Sequence, residues 1–177
     1  MEKCERLSNK EKGDVFEHLV KLYLQTNAEY QSKLSNVWLL NEVPVTVKRK
    51  LNLPNADEGI DLIAETRDKK YWAIQAKFRS NKTERLTMKG DISTFTSLAF
   101  HTCKKIDYGL ICATTSEPLK KVSLTGDNVG FRLYSDFASL DDKNGASWKR
   151  LQSALGKAPK PPKKLTPHKH QKRAIKN

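Results

Sequence analysis

Phe16, Leu19, Val20, Tyr23 and Leu24 recur at the i, i+3, i+4, i+7, i+8 spacing of one helix stripe, which predicts a helix over about residues 10–26. Ser8 and Glu11 before it form an S-x-x-E capping box. Glu17 borders the stripe, an acid beside the core face. After a polar linker, "VWLLNEVPVTV" (37–47) reads as a strand, with Pro44 marking an edge or bulge, and "KRKLNLPNADEG" (48–59) reads as a loop. Two apolar runs, 60–66 and 71–78, flank the charged turn "TRDKK" and predict a β-hairpin. Ile92, Phe95, Leu98 and Ala99 keep helical spacing and predict a helix over about 87–102. "DYGLICATT" (107–115) then predicts a buried strand. A short helix after Ser116 and Pro118, a strand at "FRLYS" (131–135) and a helix over 144–156 around Trp148, Leu151 and Leu155 complete the pattern.

The order is helix, three strands, helix, strand, helix, strand. A hairpin is antiparallel, whereas the strand–helix–strand crossover between 71 and 115 requires a parallel pair. The expected class is an α/β domain with a mixed sheet flanked by helices.

Three polar residues interrupt the hairpin: Asp61 in its first strand, Gln75 and Lys77 in its second. Alternation puts Trp72, Ile74, Ala76 and Phe78 on a core face and Gln75 and Lys77 on the other. A symmetric register pairs Asp61 with Ala76 and turns it coreward. Only a bulge or a one-residue offset brings it to Gln75 and Lys77. One end of the sheet then gathers a carboxylate, an amide oxygen and an ammonium, with Glu17 able to join from the first helix. Hard oxygen donors suit Mg²⁺, which keeps several waters and binds a substrate phosphate. A neighbouring lysine can orient or deprotonate a water and stabilise developing charge. That combination points to metal-assisted hydrolysis of a phosphodiester.

The net charge of +13 suggests a nucleic-acid-binding protein, but its distribution changes that reading. Residues 1–142 carry 22 of the 33 Lys/Arg and all 20 acids, leaving +2, while residues 143–177 carry the other 11 and no acid. The excess therefore belongs to the tail, and the case for the hairpin site rests on spacing rather than on charge. Cys4, Cys103 and Cys112 lack CxxC spacing, which disfavours a disulfide framework and a Cys-rich zinc site. His101, His168 and His170 suggest no zinc site either. The polar N-terminus and the lack of a long apolar run predict a cytoplasmic protein with no membrane partner.

G-I-D-L (59–62), a gap of ten residues, and A-I-Q-A-K-F (73–78) resemble the PD-(D/E)xK nuclease superfamily in its Mrr-like branch, where Q-x-K replaces the usual acid-x-K. Gly13, Phe16 and Glu17 match that branch's G-x-x-F-E helix. The likeness spans roughly residues 10–140 and is closer still to the N-terminal nuclease domain of type ISP restriction-modification enzymes and related nuclease–helicase fusions. Ala76 stands where many relatives have Cys, and Gly59 and Ile60 precede the Asp where the superfamily's name has Pro. The resemblance implies a restriction-endonuclease-like α/β fold, with an antiparallel hairpin plus a parallel β-α-β crossover. It implies that Asp61 is the metal-binding acid, Gln75 the substituted ligand, Lys77 the catalytic lysine and Glu17 a supporting acid. It further implies a Mg²⁺-dependent deoxyribonuclease (Mn²⁺ substituting) that acts on double-stranded DNA.

Arg79, Lys82, Arg85 and Lys89 follow the second strand as a basic cluster able to contact DNA phosphates. Asp57 and Glu58 read as loop residues with a lesser chance of contacting the metal. The expected organisation is a nuclease domain over 1–142, a terminal helix over 143–156 and a basic Pro/Lys linker over 157–177. In that tail "PHKHQKRAI" (167–175) resembles the Q-tip element of superfamily 2 helicases through His170, Gln171, Ala174 and Ile175. The expected partners are thus helicase and methyltransferase domains of the same polypeptide, the helicase using ATP that this domain does not. Two alternatives stay open: an inactive nuclease fold that docks DNA, and a stand-alone Mrr-like methyl-directed nuclease.

Overall fold

Ser8 Oγ accepts the Glu11 amide and Glu11 accepts the Ser8 amide (2.8 Å), so α1 (Asn9–Thr26) opens on the capping box that the sequence predicts. The structure, a computed structural model, describes residues 7–54, 59–116 and 128–138, with isolated positions at 145, 146, 149 and 153. Phe16, Val20, Tyr23 and Leu24 of α1 are buried. Each such side chain contributes about 2 kcal/mol by leaving water. A short helix α2 (Ala28–Lys33), capped by Asn27, occupies the predicted polar linker and leads into β1 (Leu34–Leu39).

Of the strand predicted over 37–47, only Val37–Leu39 lie in β1. After β1 come one 3-10 turn (Leu40–Glu42) and then a helix, α3 (Val45–Leu51), with Pro44 just before its first turn. Proline fits there because its fixed φ and missing N–H cost nothing where the amide has no helical partner. The apolar spacing that matters is Val43, Val47, Leu51, one helical face, rather than the alternation Val43, Val45, Val47. Val45 is 62% exposed, as that face requires. Asn52, in the left-handed region at φ 52°, ends the helix within the segment expected to be a loop.

Strands β2 (Leu62–Thr66), β3 (Tyr71–Lys77), β4 (Ile106–Ala113) and β5 (Val129–Arg132) complete a five-stranded sheet ordered β1-β2-β3-β4-β5. β1, β2 and β3 are antiparallel in turn, and β4 and β5 run parallel to β3. The crossover segment is helical from Met88 to Thr102: a central α4 (Ser93–Ser97) between two wider π-type turns. A last helix, α5 (Tyr134–Ala138), starts inside the stretch expected to be the final strand. The short helix expected after Ser116 lies outside the described residues, as do nearly all of the terminal helix and the whole 157–177 tail. Within the former, Lys149 N–H donates to Gly145 O (3.0 Å).

Both faces of the sheet are covered. α1, α2 and α5 bury one face against Leu62, Ala64, Ile74, Leu110 and Cys112. α3 and the Met88–Thr102 segment bury the other against Ile63, Tyr71, Ala73, Ile111 and Ala113. The second face is the one alternation left outside the core. Its polar residues therefore emerge from apolar packing, not from an open surface.

Candidate active site

Leu62 pairs with Ile74 and Ile63 with Ala73, so the hairpin is offset by one residue from the symmetric register. Asp61 N–H also donates to Ile74 O (2.9 Å), placing two successive residues against one. The offset puts Asp61 on the face of Gln75 and Lys77, as a site there requires. Asp61 Oδ2 accepts the Ala76 amide at 2.6 Å, which fixes the carboxylate at the end of β2 beside β3.

Gln75 is 2% exposed. Its Nε2 donates to Gly59 O (3.0 Å), and since a carbonyl only accepts, that contact fixes which end of the amide is which. Oε1 is then turned the other way, buried and without a hydrogen-bond partner. A buried acceptor left unmatched carries a free-energy penalty of about 1–3 kcal/mol, which a bound donor or cation removes. Gly59 makes the arrangement possible. Its φ is +114°, and a Cβ there would meet Gln75 Nε2 at 3.4 Å and Thr94 Cγ2 at 3.6 Å.

Asp61, Gln75 and Lys77 open into one cleft of about 380 Å³. Glu17 reaches the same cleft from α1, on the far side of the sheet's end, and Gly90, Asp91 and Thr94 at the start of the Met88–Thr102 segment close it. Four residues from three separate parts of the chain are thus brought together. Lys77 ends β3, where the Thr114 amide donates to its carbonyl (3.2 Å) and holds the strand end in register with β4. Asp57 and Glu58 lie outside the described residues.

The basic cluster does not act as one group. The guanidinium of Arg79 turns inward, pairing with Asp91 and lying 3.0 Å from Glu84 Oε1 without the alignment of a hydrogen bond. Asp91, 8% exposed, also accepts from Thr87 N (2.9 Å) and Thr87 Oγ1 (3.1 Å). Lys82 lays its ammonium over the Tyr134 ring, 3.8 Å from the centroid. Arg85 and Lys89 are exposed. Asp91 was not a sequence candidate, although Thr87 four residues before it is the kind of capping signal that marks its role.

Among the described residues no group of three His, Cys, Asp or Glu side chains is placed to hold a metal ion. The donors at this site are two carboxylates and an amide, all hard oxygens, and the unmatched Gln75 Oε1 is the kind of acceptor a hard cation satisfies. The residues therefore fit Mg²⁺. Cys103 and Cys112 are buried, and burial pushes both thiols up, so neither is poised as a thiolate nucleophile. No described helix is long and apolar enough to cross a membrane.

A mixed five-stranded sheet flanked by helices, with acid, amide and lysine gathered at one end of its hairpin, is the restriction-endonuclease-like α/β architecture. The profile of a restriction endonuclease family, Mrr_cat_2, matches residues 25–128, and the chain belongs to that family. The matched span contains Asp61, Gln75 and Lys77 but not Glu17. No curated protein matches the chain. Among solved structures it is similar to the ATP-dependent type ISP restriction-modification enzyme LlaBIII bound to DNA. Over 77% of this chain the identity is 24% and the TM-score 0.55. The chain spans only 9% of that enzyme's length. A second similar structure is the MspJI restriction endonuclease in complex with a 27-mer oligonucleotide, at 9% identity and a TM-score of 0.48. There the alignment covers 91% of this chain and 35% of the other.

Proposed function

We propose that this nuclease domain is a Mg²⁺-dependent deoxyribonuclease that hydrolyses phosphodiester bonds of double-stranded DNA. The observation that carries this is the Gln75 carbonyl oxygen, buried and unmatched in the cleft that also holds Asp61, Glu17 and Lys77. Asp61, Gln75 and Glu17 would hold the ion, with Mn²⁺ as a substitute. When bound, it would acidify the attacking water and offset charge at the reacting phosphate. Asp61 is pre-positioned by the Ala76 amide, and the Gln75 amide by Gly59 O, so neither has to reorganise on binding. Lys77, at the strand end, has the role of orienting that water and stabilising charge on the phosphate oxygens.

This domain works, on the same reading, as the cleavage module of an ATP-dependent restriction enzyme with a helicase motor. The Q-tip-like 167–175 segment supports that arrangement, as does the sequence-level resemblance to type ISP nuclease domains. A G-K-[ST] phosphate loop encoded downstream of Asn177 is expected, and a stop codon there removes the motor from the proposal.

The test is cleavage of duplex DNA in Mg²⁺ by wild type, Asp61→Ala and Lys77→Ala, run in the complete natural polypeptide. A fall of about 10²-fold or more is expected in each variant, with EDTA abolishing wild-type cutting. Wild-type rates in both variants would overturn the site.

A further inference from the structure

Glu17 and Asp61 face two ways. Besides the cleft that holds Gln75 and Lys77, they wall a second cleft of about 540 Å³ between α1 and α3. Its other polar walls are Asp14, His18, Asn41 and Lys48. The two clefts thus meet at the two carboxylates of the proposed metal site.

Lys48 is the informative residue. It stands on α3, half-buried, and its ammonium has no ion-pair partner among the described residues. On the same helix Lys50 is engaged with the hydroxyl and ring of Tyr71, and Arg49 is exposed and does not line the cleft. Asp14, Glu17 and Asp61 line the same cleft, but Lys48 pairs with none of them, and a half-buried ammonium so placed suits an anionic ligand that arrives from outside.

Resting on the reading above, the geometry supplies that ligand. A scissile phosphate is never a chain end: one ester arm leaves it in each direction. The cleft with Gln75 and Lys77 takes the reacting phosphate, and the strand must then run past the Asp61–Glu17 wall. We infer that the cleft between α1 and α3 is a subsite for the DNA strand beside the scissile phosphate, with Lys48 as the cation that binds the neighbouring phosphate. His18 and Asn41 on the same wall offer hydrogen bonds to phosphate or sugar oxygens. Lys48 is then a binding residue, not a catalytic one.

The experiment measures equilibrium binding of a short fluorescein-labelled DNA duplex by the full 177-residue chain across a salt series. Wild type, Lys48→Met, Lys48→Arg and Arg49→Met are compared. Arg49, exposed on the same helix, does not line the cleft. The basic tail is identical in all four proteins, so differences between them report α3. Lys48→Met is expected to bind several-fold more weakly and to lose about one unit from the slope of log K against log salt. Lys48→Arg should stay close to wild type, and so should Arg49→Met. Wild-type affinity and slope in Lys48→Met overturn the inference. An equal loss in Arg49→Met does too, since any charge on α3 would then serve. Failure of the proposed function is separate: it shows as undiminished cleavage in Asp61→Ala and Lys77→Ala.

Discussion

Gly59 does the most with the least. At φ +114° it adopts backbone that other residues enter only with strain, and its carbonyl is what holds the Gln75 amide the right way round. Gly59→Ala puts a Cβ in ordinary contact with Gln75 Nε2 (3.4 Å), so its cost is the φ of +114°, and relieving that strain moves the carbonyl that holds the amide. The expected outcome is a loss of about 1–3 kcal/mol of stability and a fall in DNA cleavage larger than the change in folded fraction explains. Denaturant melts read beside cleavage rates check this. A cleavage loss that merely tracks unfolding would reduce Gly59 to a turn residue. From the sequence, Gly59 is legible only as part of G-I-D, because a glycine shows its φ in no pattern of neighbours. The trio Asp61, Gln75 and Lys77 is legible because three polar residues stand out against apolar strands. That Gln75 Oε1 lacks a partner is not, since it depends on a contact 16 residues away.

Among elements, the start of the Met88–Thr102 segment depends on one partly buried ion pair. Asp91 accepts from the amide and hydroxyl of the N-cap Thr87 and pairs with Arg79, and the three together fix the wall that closes the cleft beside Gln75. Arg79→Met leaves the Asp91 carboxylate buried without its cation. The expected loss is about 3 kcal/mol, at the low end for such pairs because the Arg79 side chain is 27% exposed. The double variant Arg79→Met, Asp91→Asn should recover part of it, no buried charge being left. Urea denaturation of the three proteins measures both effects. An arginine that served only to grip phosphate would leave the midpoint unmoved. The hairpin and the crossover helix are legible in sequence because period-two and period-3.6 patterns are local. α3 is less so: within "VPVTV" alternation and helical spacing fit the same valines, and the decisive Leu51 comes only after a run of cations. The covering of both sheet faces is not legible at all, because its layers come from segments far apart in the chain.

Across the whole molecule, charge is used locally rather than as a field. The net +13 is carried almost entirely by residues 143–177, while within the described residues acids are held by specific partners. Burial pushes the Glu65 carboxyl up, but hydrogen bonds from Asn36 and Lys69 outweigh it and the net shift is downward. Glu42, held by Lys21 and the Leu39 amide against its own burial, is likewise lowered. A depressed carboxylate adds stability above the unfolded-state value of about 4.3, and that stability is lost as pH falls through the folded-state value. Stability should therefore drop on acidification below about pH 4.3, and Glu65→Gln should flatten part of that slope while changing little near neutrality beyond a constant offset. Denaturation midpoints between about pH 3 and pH 7 give the comparison, and an unchanged slope would show that Glu65 binds its proton alike in both states.

The central place of β3 has a consequence for how a cell can make such a protein safely. β3 carries Gln75 and Lys77, and its parallel neighbour β4 lies about thirty residues further along the chain. While synthesis is in progress β3 is a bare sheet edge, its last residues lacking the tie from the Thr114 amide to Lys77 O. On the proposed function, the cleft that holds Gln75 and Lys77 gains this tie only once the chain has been made past Thr114. If the proposed site is the cutting site, a nascent chain would be spared from cutting before it is folded.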